Sequence, residues 1–283
     1  MNKIPNPFSL YDFLGYFVPG AIVVYAIGLL FGHIHPLLTA QGVYEKFLSL
    51  RDPSQILPFV ILSYVSGHLA SYLSSITVEK FSELQYGKPS KYLLGLEHER
   101  YFFTRLMRGQ FDLLRVLLGI VMLPVGVFDF ILGGLLGCNR FYARGLDKLL
   151  SEVIRGKAYK RLVSIAGFQP SDEKHGGPDE AEFFLLLQHY ATANCENHRL
   201  KMDNYVALYG FLRTIAFIFL MLTWITTYHV IVIGHNLFLP YGTPLLLAFL
   251  SFLFFLAYMK FWRRYTLEVL MAVAVADKSE IKQ

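Results

Sequence analysis

Long apolar stretches alternate along the chain with shorter polar ones that carry most of its lysine and arginine. Leu10–Gly32, Ile56–Val78, Thr214–Ile233 and Thr243–Phe261 are each apolar over about twenty residues or slightly more. At a rise of about 1.5 Å per residue, that length crosses the roughly 30 Å of hydrocarbon in a bilayer. These four are predicted to be full membrane-spanning helices. Asp12 is the one charged side chain in the first run, which Pro19-Gly20 interrupts. The run is too long for a signal-peptide core and no small-x-small cleavage site follows, so it is expected to persist as a span. Pro19 removes a backbone donor and is expected to bend it.

A fifth apolar stretch, Leu113–Gly137, is long enough to cross but is predicted not to. Six Lys and Arg precede it in Glu79–Asp112 and ten follow in Cys138–Tyr205. Cation-rich segments near spans stay on the cytoplasmic side, so the chain must enter and leave there. Leu123-Pro124-Val125-Gly126 supplies the break, and a re-entrant or interfacial helical pair is expected. The same rule sets the rest of the map. Gly234–Gly242 has no Lys or Arg, and His33–Leu57 has only Lys46 and Arg51, so both loops face outward. Both termini are then cytoplasmic. The predicted fold is an all-α integral membrane helical bundle of four full spans, one re-entrant or interfacial segment and a helical cytoplasmic module. That module comprises Glu79–Asp112 and Cys138–Tyr205, and a cytoplasmic tail, Tyr265–Gln283, follows the last span.

Within the module, Gly87-Lys88-Pro89-Ser90 reads as a turn and Glu97–Arg108 as a helix. Arg140–Ile165 alternates Leu149, Leu150, Val153 and Ile154 with Arg144, Lys148, Arg155 and Lys157. Such a basic amphipathic helix suits either the inner leaflet or the surface of a neighbouring helix. Ala166–Pro178 is a loop by composition. From Pro178 to Tyr209 no Gly or Pro intervenes, so one helix of about 32 residues is expected to lead into the third span.

Composition agrees with this class. The 283 residues are 54% hydrophobic and only 17% charged. The formal charge of +5 is concentrated beside apolar spans, which points to topology and anionic lipid rather than nucleic acid. Cys138 and Cys195 lie far apart in segments placed in the cytoplasm, and no disulfide is expected.

Candidate chemistry is sparse. No phosphate loop, dinucleotide fingerprint, paired-histidine zinc helix or nucleophile elbow occurs, and no cofactor is implied. In the second span Ser63, Gly67, Ser71 and Ser75 recur every fourth residue, with His68 at mid-depth between Tyr64 and Tyr72. The stripe reads as a helix-packing seam, or alternatively as the lining of an ion or proton path, since ionisable groups in a bilayer tend to be functional. His33, His35, His229 and His235 fall at outer span ends or in the outer loop, where they either suit the membrane interface or gather as a metal site or pH sensor. Arg115, Asp129 and Arg213 are the charges nearest apolar runs, with Arg213 expected to snorkel and Asp129 to pair with an arginine. His189, Cys195, Glu196 and His198 look superficially like metal ligands, although His189 points away from the helix face that Cys195 and His198 share. Glu97-His98-Glu99 reads as a solvated face.

Ser9-Leu10-Tyr11-Asp12-Phe13-Leu14-Gly15-Tyr16 with Pro19-Gly20, together with Gly67-His68 and Ser74-Ser75, resembles small multi-pass bacterial membrane proteins of unassigned function. The resemblance implies a bacterial inner membrane and no particular activity. The functional expectation is a non-enzymatic membrane component that self-associates and takes a partner or signal on its cytoplasmic face, by analogy as part of a multi-protein system such as phage defence. A channel or transporter is the alternative, and an intramembrane enzyme lacks a nucleophile with its base.

Overall fold

A computed structural model describes residues 12–31, 53–95, 113–166, 183–232 and 242–275. Among the described residues the secondary structure is helical, with no strand. Among the described residues three helical runs are long and apolar enough to cross a membrane: Ile56–Leu93, Glu196–Val232 and Gly242–Val275. The first expected span is a π turn, Phe13–Phe17, followed by α1, Val18–Phe31, and its apolar portion, Phe13–Gly28, is shorter than those three. Pro19 sits in the first turn of α1, directly after the π turn. The predicted Gly32 end of that span, the helix at Glu97–Arg108 and the loop at Ala166–Pro178 lie wholly or largely outside the described residues.

The second run is built from α2, Pro53–Ser74, a π turn, Ser75–Glu79, α3, Lys80–Tyr86, and α4, Pro89–Leu93. The expected turn ends α3: Gly87 has φ of 80° and donates to the Glu83 carbonyl at 3.0 Å, while Pro89 opens α4, where no backbone donor is needed. The fifth apolar stretch is α5, Leu113–Val121, and α6, Leu123–Phe128, continued by a π turn, Asp129–Leu135. α5 and the helix after it bend by 73°. The break falls at Met122, whose φ and ψ of −85° and 3° leave the helical region, rather than within Leu123–Gly126. Pro124 is tolerated because it lies in the first turn of α6.

A 3-10 turn, Cys138–Phe141, precedes α7, Lys148–Ala166; then come α8, Phe183–Asn194, α9, Glu196–Val232, and α10, Gly242–Val275. The single helix expected from Pro178 to Tyr209 is interrupted at Cys195, between α8 and α9. No Gly or Pro marks that break, which is why composition alone misses it. From Glu196 the chain is helical for 37 residues.

Two compact units emerge: Met1–Lys80 with Leu117–Asp129 and Ala207–Tyr258, and Phe81–Val116 with Phe130–Val206 and Met259–Gln283. In the first, α9 and α10 form an apolar hairpin core of Leu220, Phe252, Phe255 and Tyr258, all fully buried. Phe219 stacks on Phe254 at 5.4 Å and 7°. The buried Ser251 hydroxyl donates to the Ala216 carbonyl at 2.8 Å, which removes an uncompensated polar group from the seam. Thr214, Thr223, Thr226 and Thr227 each donate to a carbonyl one turn back on α9. Trp224 donates to the Val121 carbonyl at 2.8 Å, satisfying an acceptor beside the Met122 break.

In the second unit α7 buries Ser151, Ile154, Ala158 and Leu162, a stripe at helical spacing. Ser151 donates to the Leu94 carbonyl at 2.9 Å, and the Leu146 amide to the Leu93 carbonyl at 3.1 Å. Tyr86 and Tyr142 share a hydroxyl contact at 3.2 Å. α10 continues past Arg264 to Val275, and its end is core: Val269, Leu270, Ala272 and Val273 are buried. Arg263 of the same stretch donates to the Arg144 carbonyl at 2.9 Å.

Candidate functional site: a helix seam and an ion pair in the first unit

The small-residue stripe of α2 has a partner within its own chain. Gly20 of α1 and Gly67 of α2 set backbone against backbone. A Cβ on Gly20 would collide with the Ser63 carbonyl, and one on Gly67 with the Tyr16 carbonyl. Such contacts are why small residues line membrane helix seams: they let two helices approach until van der Waals contact is continuous. The packed line is not the strict every-fourth series expected from the sequence. Ser63, Gly67, Ala70 and Ser74 are the buried positions, whereas Ser71 and Ser75 are only half-buried. Four residues turn a helix by about 400°, so a strict fourth-residue series drifts about 40° per step off any fixed face, while alternating steps of four and three stay on it. Ser75 bonds back to the Tyr72 carbonyl at 2.7 Å, and Ser74 is the residue that reaches another helix.

His68 lies beside the seam and outside it. Its ring stacks on Tyr16 of the first π turn at 3.8 Å and 17°, and meets Tyr64 edge-on at 4.5 Å and 75°. The residue is nevertheless exposed, on the same surface as the exposed Val65, Leu69 and Tyr72. Among the described residues it makes these ring contacts and no hydrogen bond.

At the far end of α2 stands a charge pair. Arg213 of α9 donates from Nη1 to the Glu79 carboxylate and from Nε to the Ser74 hydroxyl at 3.1 Å, and Ser74 lies 3.4 Å from the Thr214 hydroxyl. The two charged side chains are 13% and 29% exposed. The π turn makes this possible. In an α-helix Ser74 and Glu79 would point about 140° apart, and the wider π turn brings positions five apart onto one face. Arg213 therefore does not simply snorkel: it is fixed by an acid that sequence patterning placed in the module.

Of the remaining candidates, Asp129 is buried and engaged in an interaction, and Arg115 is half-buried and likewise engaged. His229 is half-buried near the end of α9, with its Nδ1 lacking a hydrogen-bond partner among the described residues. His33, His35 and His235 lie outside the described residues, as do His98 and its two glutamates. In the second unit Cys195 is buried and its thiol donates to the Ala272 carbonyl at 3.7 Å. His198 pairs with Glu268 at 2.7 Å, with Lys201 at 3.8 Å from the same oxygen, and His189 is exposed. Among the described residues no group of three His, Cys, Asp or Glu is placed to hold a metal ion.

No family model, curated protein or solved structure matches this chain.

Proposed function

We propose that the chain is a non-enzymatic, multi-pass protein of the bacterial inner membrane that associates with further copies of itself and receives a protein partner or signal on its cytoplasmic face. In this reading it crosses four times, 113–137 re-enters from the inside, and both termini are cytoplasmic. The distribution of cations supports that topology. A role within a multi-protein system such as phage defence rests on analogy alone.

The observation that carries self-association is His68. In this reading an imidazole at mid-span on the exposed surface of α2, stacked on Tyr16 and edge-on to Tyr64 but without a hydrogen-bond partner among the described residues, carries polar nitrogens into a hydrocarbon-facing surface. An unmet polar group there costs on the order of 1 to 3 kcal/mol, and a second copy meeting this face supplies the missing donor or acceptor. The small-residue stripe is not free for this role, since Ser63 and Gly67 are closed by the Tyr16–Gly20 stretch. A conducting path along that stripe is the weaker alternative for the same reason.

The test is disulfide trapping in native membranes. His68→Cys and Tyr72→Cys, each in a Cys138→Ser background, should form dimers on mild oxidation, while Ser63→Cys should not. Absence of any dimer at positions 65, 68 and 72, with a monomer in mild detergent, overturns the proposal.

A further inference from the structure

We propose that the outward face of α7, with the turn Cys138–Phe141 before it, docks onto anionic lipid of the inner leaflet. The inference rests on the cytoplasmic placement of this segment proposed above. α7 has two faces with different fates. Ser151, Ile154, Ala158 and Leu162 turn inward and are buried in their own unit. Successive residues on a helix turn by about 100°, which places Leu149 and Val153 on the opposite side. Leu149 is 70% exposed, Val153 is also exposed, and Phe141 ahead of the helix is 83% exposed. A helix end apolar on both sides needs a second apolar surface, because an aqueous exterior gains nothing from it.

The same outward side changes character along its length. Lys157 and Lys160 lie within about a third of a turn of Leu149 and Val153 but about one to three turns further on. Both are exposed, as are Arg144, Lys148 and Arg155, and these cations outnumber the exposed acids Asp147 and Glu152. Exposed apolar side chains at the start of the helix, with cations beside and beyond them, suit a tilted interfacial helix. Its first turns enter the acyl boundary, and its lysines reach anionic headgroups. A protein partner with an acidic surface would match the lysines but not the bare leucine and phenylalanine. The sequence offers continuity as well: the exposed apolar residues Phe130, Leu135 and Leu136 lead directly into this turn.

The full chain, in a Cys138→Ser background, tests this after reconstitution into liposomes of phosphatidylcholine with or without phosphatidylglycerol. Bimane is attached at Leu149→Cys, Val153→Cys or Ser164→Cys. With brominated acyl chains, probes at 149 and 153 should shift to the blue and lose most of their emission in the phosphatidylglycerol liposomes, while the probe at 164 keeps its own. Lys157→Gln with Lys160→Gln should restore emission at 149. Equal quenching of all three probes by aqueous iodide overturns the proposal. So does shielding of 149 from both quenchers, which would mean that protein covers the face. The underlying topology fails separately: an impermeant maleimide that reaches Ser164→Cys from outside intact cells removes the inner-leaflet assignment, whatever the bromine result.

Discussion

Arg213 of α9 grips both ends of the π turn in α2, donating to Ser74 at 3.1 Å on one side and to Glu79 on the other. Removing the acid leaves a guanidinium that is 13% exposed without its anion. Glu79→Gln should lower stability by about 1 to 3 kcal/mol, less than a fully buried pair because Glu79 is partly exposed. The double variant with Arg213→Gln should lose less than the sum of the singles, as thermal unfolding in detergent would show; strict additivity would mean that the pair is not coupled.

The seam of Gly20 and Gly67 offers little room for adjustment, because the atoms a Cβ would meet are backbone. Gly67→Ala should cost about 1 to 3 kcal/mol through forced separation of α1 and α2. Gly156→Ala is the matched control. It lies within α7 with nothing inside 4 Å of a new Cβ, so the change should stabilise by roughly 0.4 to 1 kcal/mol. Similar losses at both positions would refute the seam.

Trp224 holds the carbonyl of Val121 beside the break at Met122. Trp224→Phe keeps the ring's bulk but not the donor, and should cost about 1 kcal/mol. Faster amide exchange across 122–126, with little change along α10, is the expected signature.

Cys138 is half-buried, whereas Cys195 is enclosed with its thiol on the Ala272 carbonyl. A maleimide should modify one thiol per chain in the folded protein and two after denaturation. Rapid reaction of both in the native state would contradict the packing of α8, α9 and α10 around Cys195.

Much of the helical layout was legible because uncharged apolar runs of about twenty residues predict long helices, and glycine with proline predicts breaks between them. α9, α10 and the Gly87–Pro89 turn follow from such signals alone. Other features depend on geometry that patterns of 3.6 do not contain. The π turn at Ser75–Glu79 shifts the helix face, so Ser74 and Glu79 replace Ser71 and Ser75 as the residues that reach α9. The break at Cys195 lacks a glycine or proline and so left no mark in the composition. Of the candidate site, His68 was found from the cost of an imidazole in lipid, but Tyr16, the ring on which it stacks, comes from another helix and left no local mark.

Gly20 and Gly67 are complementary halves of one contact, yet synthesis delivers them at different times. At about 5 to 20 residues per second, α1 emerges seconds before the α2 edge that it fits. During that interval its glycine notch is unfilled, and an incoming helix with a small-residue edge from another protein would compete for it. Substitutions at Gly20 should therefore show first in the yield of inserted protein, before any defect appears in molecules already assembled.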